Sequence, residues 1–283
     1  MDALARRLNE LCDAQPFTTS WYVRDLAGGR EASRQGDVPT PSASTRKVSI
    51  MMAAFKAAHE GRLDLDEPVA FTAEYQKGIA SGTFQHMTPG MRFPLRDAIV
   101  QMIITSDNVC TRLVVDRVDV DTLNAYCAAI GLTGTVHRFG VPPLGLPWDH
   151  PVEAVTSTTP ADQGRLLDMI LAGAADEGAA RRLGSTSALC RYALDILSWQ
   201  LHRSMIPALL PFGTKVANKT GRGVRGRMDV GIVYRGERPL YILTAFADRL
   251  PDAMPDGLPG FSAAFALIGR LSRACWETLG PAR

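Results

Sequence analysis

The pattern of apolar and polar positions places strands towards both ends of the chain and helices in its middle. Leu4, Leu8 and Leu11 fall at helical spacing, which predicts an amphipathic first helix. A last amphipathic helix is predicted over about residues 262–279. Strands are predicted at residues 18–26, shortly before Pro39, at residues 228–235, and at residues 240–248, the last of them more fully buried.

Between about residues 45 and 191 the pattern is mostly helical. A further helix is predicted to begin at Thr159 and Pro160, because threonine caps a helix well and proline suits its first turn. The other helices of this region are predicted at residues 49–58, 95–105, 111–117 and 122–130. The simplest assembly is one domain of the α/β (α+β) class. A sheet from residues of about 1–43 and 195–283 would carry an inserted helical lobe of about 44–194.

Composition and charge narrow the possible functions. The 283 residues carry a formal net charge of +2, and no run of lysine or arginine resembles a nucleic-acid binding surface. No apolar run reaches membrane-spanning length, and no secretory leader is visible, so we expect a cytoplasmic protein if Met1 is the natural start. An extracytoplasmic location is expected instead if a leader has been removed. The five scattered cysteines suggest neither a disulfide framework nor a zinc site.

The first of three candidate chemical motifs joins Ser44 and Lys47, three residues apart at the predicted start of a helix. This spacing would bring the lysine amine within reach of the serine hydroxyl. The amine could then act as the base for a serine nucleophile if burial or nearby cations lower its pKa. Alone, the pair could also be a helix cap followed by a solvated lysine.

The second motif is Ser106-Asp107-Asn108, between two predicted helices. Such residues are common at helix junctions because they cap. The functional interpretation makes Ser106 a proton shuttle to the leaving group and Asn108 an amide that orients the substrate, while Asp107 braces the loop.

The third motif is Lys219-Thr220-Gly221, just before the predicted hairpin. Lys219 and Thr220 could bind a substrate carboxylate, and Gly221 would let the substrate approach the backbone. A plain strand end with turn glycines has the same appearance. Arg227 is a further candidate carboxylate ligand, with a solvated turn arginine as the alternative.

Together and in this order, the three motifs resemble the S-x-x-K, S-D-N and K-T-G signature of class A β-lactamases and penicillin-binding proteins. The resemblance covers roughly residues 18–279 and implies a three-layer β-lactamase-like fold. It implies Ser44 as nucleophile, Lys47 as its partner and Ser106 as proton shuttle. The backbone N–H groups of Ser44 and Arg222 would form the oxyanion hole. No metal or organic cofactor is implied, and the expected partner is a small molecule.

One departure from the family concerns the omega loop, where class A enzymes carry a glutamate that activates the deacylating water. Family spacing places Pro142-Pro143 at that position, and no E-x-x-L-N pattern occurs nearby. Asp149 and Glu153 could substitute if the loop is rerouted, or both could be solvated loop carboxylates.

These observations predict a serine hydrolase that forms an acyl-enzyme at Ser44 with a lactam, amide or ester bearing a carboxylate. Hydrolysis of β-lactams is the default substrate choice. One alternative is a cytosolic hydrolase or acyltransferase acting on a substrate that is not an antibiotic. Another is a penicillin-binding trap or sensor that stays acylated. The substrate, the deacylating base and the oligomeric state remain open at this point.

Overall fold

A five-stranded antiparallel sheet separates two groups of helices in the computed structural model, which describes residues 1–280. The strands are β1 (Thr18–Asp25), β2 (Glu31–Arg34), β3 (Thr40–Pro41), β4 (Pro68–Ala70), β5 (Arg92–Pro94), β6 (Ser157–Thr158), β7 (Val216–Arg222), β8 (Arg227–Arg235) and β9 (Arg238–Asp248). The helices are α1 (Asp2–Asp13), α2 (Lys47–His59), α3 (Ala73–Gln76), α4 (Leu95–Ile104), α5 (Asn108–Val118), α6 (Val120–Ala129), α7 (Pro160–Ala175), α8 (Glu177–Arg182), α9 (Ser187–Ser198) and α10 (Gly260–Leu279).

The central sheet joins the two ends of the chain, as the sequence predicted. Its strand order is β2-β1-β9-β8-β7, so β1 pairs with β9 along its whole length, from Thr18 opposite Asp248 to Asp25 opposite Tyr241. β7 is an edge strand and carries the lysine-threonine-glycine motif. The other strands form two short ribbons, β3 with β6 and β4 with β5.

Neighbouring residues of a strand point to opposite sides of the sheet. Helices cover both sides here, so both faces of the sheet are buried. Val230 and Ile232 of β8 belong to the core shared with the helical middle of the chain. Leu243 and Ala245 of β9 belong to a second core, under α1 and α10. This double burial explains the nearly continuous apolar sequence of β9, which was predicted to be a fully buried strand.

The predicted helices are confirmed with boundaries shifted by up to three residues. Thr159 caps α7 by accepting a hydrogen bond from Asp162 N at 3.0 Å, and Pro160 occupies its first turn, as expected. The middle of the chain is less helical than predicted, because residues 60–94 and 130–156 are largely irregular. Neither of the two short ribbons was predicted, since strands of two or three residues leave no measurable periodicity.

The boundary between sheet and helical lobe is closely packed at α7, which lies across β1, β8 and β9. All five cysteines are buried and unpaired, as expected from their scattered positions. None of the helices within residues 1–280 combines the length and the apolar character needed to cross a bilayer.

The close packing of α7 on β1 predicts the effect of Gly164→Ala. A Cβ at Gly164 would lie 2.3 Å from the Tyr22 ring. We expect the free energy of unfolding to fall by about 1–3 kcal/mol, because this overpacking outweighs the better helix propensity of alanine. Gly178→Ala in α8 is the control, since a Cβ there would come no nearer than 3.1 Å to another atom, a side-chain oxygen of Asp176. Chemical denaturation measures both, and a stabilised Gly164→Ala protein would contradict the packing argument.

Candidate active site

Ser44 lies in a turn of 3-10 helix, Ala43–Arg46, immediately before α2. Ala43 has a φ of 41°, a left-handed conformation that is uncommon for a residue with a side chain. Ser42 anchors the turn, because its backbone N–H and its hydroxyl both donate to the Thr156 carbonyl, each at 2.9 Å. Ser44 itself is partly buried and lines a cavity.

Lys47 follows in the first turn of α2 and is almost fully buried. Its Nζ donates to the Ser106 carbonyl at 2.8 Å and to Asn108 Oδ1 at 2.7 Å, and it lies 3.2 Å from Ser106 Oγ. Burial is the main reason why the pKa of Lys47 lies well below its usual value. The positive charges of Lys219 and Arg46 lower it further. The first two motifs are therefore in direct contact through this amine.

The surroundings of Lys47 suit a neutral amine, which has two hydrogens and one lone pair. The two carbonyl oxygens can take the hydrogens, and the Ser106 hydroxyl can donate to the lone pair. The sequence predicted that the amine reaches the Ser44 hydroxyl, but within residues 1–280 no hydrogen bond joins these two groups. In this structure the amine is bonded to the second motif instead.

Asp107 holds the second motif in place, as the sequence predicted. It caps α5 by accepting from Cys110 N at 3.0 Å, and its other oxygen accepts from Phe84 N at 2.8 Å. Ser106 has a φ of 59°, so the motif turns sharply between α4 and α5. A Cβ at Gly82 would lie 2.3 Å from Asp107 Cα, and the neighbouring loop can pack this closely because residue 82 is a glycine.

The third motif lies on β7, beside the turn that carries Ser44. Lys219 is fully buried and donates from Nζ to the Thr220 carbonyl at 2.8 Å. Burial lowers the pKa of Lys219 to about 7, although the charge of Asp229 acts in the opposite direction. A Cβ at Gly221 would lie 2.6 Å from Met228 Cγ and 3.2 Å from Ala43 Cβ, so this position leaves little room for a side chain.

A cavity of about 700 Å³ brings the three motifs together. Its lining includes Ser44, Ser106, Asn108, Thr220 and Arg222. Both lysines are buried beside this lining and are bonded to it, Lys47 to the second motif and Lys219 to Thr220. Most candidate site residues of the sequence analysis thus meet at one place.

Comparison with known proteins agrees with this arrangement. A model of the β-lactamase enzyme family matches residues 3–279. The chain belongs to this family. A search of curated proteins found no match.

Among solved structures, PBP-A is 25% identical, with a TM-score of 0.83 over 100% of this chain and 97% of that one. A β-lactamase from Sphaerobacter thermophilus is 24% identical, with a TM-score of 0.83 over 100% and 98% of the two chains. An ancestral class A β-lactamase is 21% identical, with a TM-score of 0.80 over 97% and 99%. The expected class A β-lactamase fold is therefore confirmed.

The two candidate arginines of this β-lactamase-family chain face each other across β7 and β8 but make different contacts. Arg222 is exposed, lines the cavity and places its guanidinium 5.4 Å from the centre of the Phe265 ring. Arg227 does not line the cavity. It donates to the carbonyls of Gly223 at 2.7 Å and Gly226 at 2.8 Å, so its side chain supports the turn between β7 and β8. The structure gives it no position from which to bind a carboxylate in the cavity.

The loop of residues 139–156 forms one wall of the cavity. Pro142 and Pro143 line it, as does Leu144. Asp149 and Glu153, the possible substitute bases, are both exposed and lie outside the lining. Within the described chain, no aspartate or glutamate lines this cavity.

Two buried arginines that the sequence analysis did not assign to the site hold this loop. Arg46, inside the first motif, donates to the carbonyls of Phe139 at 2.8 Å and Gly140 at 2.6 Å. Arg225 is paired with Asp248. Their partners lie 23 to 94 residues away in the sequence, so no local sequence pattern predicts these contacts.

The role of Asp107 predicts the effect of Asp107→Ala. Loss of the cap and of the bond from Phe84 N should lower the free energy of unfolding by about 1–3 kcal/mol. Because the motif would also shift, we expect acylation of Ser44 to slow on the order of 10²-fold. Asp176→Ala is the matched control, since Asp176 caps α8 in the same way. Equal acylation rates in the two variants would contradict a positioning role for Asp107.

Proposed function

We propose that this protein is a serine hydrolase that forms an acyl-enzyme at Ser44 and releases the acyl group slowly. The observation that carries the proposal is the buried amine of Lys47, which is hydrogen-bonded to Ser106 and Asn108. Ser44, three residues before it, lines the cavity. A lysine with a lowered pKa can take up a proton near neutral pH, which ordinary lysines cannot do.

Acylation would begin with attack of Ser44 Oγ on the carbonyl carbon of a lactam, amide or ester. The hydroxyl proton would pass to Lys47, and the 3.2 Å contact between Nζ and Ser106 Oγ provides a route onward to the leaving nitrogen or oxygen. Backbone N–H groups of Ser44 and Arg222 would bind the developing oxyanion. The carbon–nitrogen or carbon–oxygen bond then breaks as the leaving atom gains the proton.

Recognition of the substrate is assigned to two edges of the cavity. Lys219 and Thr220 would bind the substrate carboxylate, and Asn108 would orient its amide. Three exposed apolar side chains in the lining, Leu144, Leu201 and Val224, offer a surface for an apolar acyl group. A β-lactam with an apolar acyl side chain is the default substrate.

Release slower than acylation is expected, because within the described residues no aspartate or glutamate lines the cavity, so only another kind of side chain could serve there as a base for water. A general base for water typically contributes about 10²–10⁴-fold to a rate. The structural relative PBP-A supports this outcome, since a variant of it has been captured as an acyl-enzyme complex with penicillin G. A penicillin-binding trap is therefore the second candidate function.

Acylation is tested by mixing the protein with a chromogenic cephalosporin while following colour and intact mass. We expect a burst of about one equivalent and a covalent adduct, followed by slow turnover, because acylation outpaces release. Ser44→Ala should show neither burst nor adduct. An adduct that survives in Ser44→Ala would contradict the assignment of the nucleophile, and a stable adduct without turnover would favour the trap.

The role of Lys219 predicts a pH dependence. With its pKa lowered to about 7, the free site loses the ammonium charge as the pH rises past that value. A bound carboxylate favours the charged amine, so affinity should be greatest below pH 7. Above it, affinity should fall by up to about tenfold per pH unit. The control is a neutral ester without a carboxylate, whose affinity for the site should not depend on pH in this way. Identical pH profiles would argue against Lys219 as the ligand.

A further inference from the structure

The loop of residues 139–156 passes along the nucleophile because it is tied down on both sides of Ser44. Its first residues accept hydrogen bonds from Arg46, two positions after Ser44. At its end, the Thr156 carbonyl accepts two hydrogen bonds from Ser42, two positions before Ser44. Residues of this loop and Ser44 therefore line the same cavity.

His150 lies within this loop and is held there through its backbone. Its carbonyl accepts a hydrogen bond from the guanidinium of Arg225, which is itself paired with Asp248. Trp148 adds a further anchor, because its indole N–H donates to the Leu250 carbonyl at 2.8 Å. The position of His150 therefore does not depend on its own imidazole.

The imidazole of His150 has one nitrogen occupied and one available. Nδ1 lies 2.9 Å from the Pro151 carbonyl. Because a carbonyl oxygen only accepts, Nδ1 must carry the hydrogen, and Nε2 of the neutral ring then holds a lone pair. Nε2 has no hydrogen-bond partner within residues 1–280, yet it is not among the fully enclosed polar atoms without a partner. His150 is itself buried and is part of the lining of the cavity.

His202 is the other imidazole in the described lining of the cavity. Its Nε2 is 3.3 Å from the Thr105 carbonyl, next to the second motif. Burial lowers the pKa of His202, and the positive charges of Lys219, Arg222 and Lys47 act in the same direction. Because the Thr105 carbonyl only accepts, Nε2 of His202 must carry the hydrogen and cannot take a proton from water.

We propose that His150 is the general base that activates water against the acyl group on Ser44. This inference rests on the proposed acyl-enzyme. Nε2 takes a proton from the water while the water oxygen bonds to the acyl carbon, giving a tetrahedral intermediate. On its collapse the bond from that carbon to Ser44 Oγ breaks, Oγ regains the proton from the imidazolium, and the free acid leaves.

The test measures acylation and deacylation separately, by intact mass, in the whole protein with a chromogenic cephalosporin. His150→Asn keeps an N–H donor near the place of Nδ1 and removes the base. We expect its acylation rate to stay within about twofold and its deacylation rate to fall about 10²-fold or more. Added imidazole should restore deacylation in His150→Ala, which a merely structural defect would not allow.

The possible outcomes distinguish a failure of this inference from a failure of the proposed function. No adduct on the native protein would overturn the acyl-enzyme and, with it, the role of His150. An adduct on the native protein with unchanged deacylation in His150→Asn would overturn the role of His150 alone. Slower deacylation in His202→Asn but not in His150→Asn would assign the base to His202 instead. If His150→Asn fails to fold, His150→Gln and the imidazole experiment decide the question.

Discussion

The buried amine of Lys47 is the constraint on which the active site depends. Burying a charged ammonium group without a partner carboxylate would strongly destabilise the folded state. The buried amine therefore needs oxygen atoms around it that form hydrogen bonds with it. Ser106 and Asn108 provide them. This requirement fixes α2 against the junction of α4 and α5. It also explains the sharp turn at Ser106, because a straighter backbone would carry that carbonyl away from the amine.

A second buried charge, the guanidinium of Arg46, gives the loop wall its position. Arginine keeps its proton under ordinary conditions, so its burial demands acceptors with good geometry. Two backbone carbonyl oxygens of the loop accept hydrogen bonds from this guanidinium, and both belong to neutral peptide groups. The adjacent charges of Arg46 and Lys219 both disfavour a proton on Lys47. One residue of the first motif thus positions the loop and helps to keep the neighbouring lysine neutral.

The sequence was sufficient for the sheet, the main helices and the three motifs, because each rests on local periodicity or on short spacing. The resemblance to class A β-lactamases then implied how the motifs meet. The contribution of Arg225 could not be predicted, since its partner Asp248 lies on another strand and its loop contact depends on the folded path of the chain. The location of Arg227 was equally inaccessible, because a turn arginine and a cavity arginine have the same local sequence.

In the proposed mechanism, formation and release of the acyl group would use different parts of this fold. Ser44 lies in the turn before α2, Lys47 on α2 and Arg222 at the end of β7. Release would depend on a loop that is attached to these elements mainly through backbone carbonyls, which accept from Arg46, Arg225 and Ser42. Carbonyl contacts are independent of side-chain identity. The side chains of this loop, including the prolines at 142 and 143 and the histidine at 150, can therefore vary without disturbing the elements that carry Ser44 and Lys47.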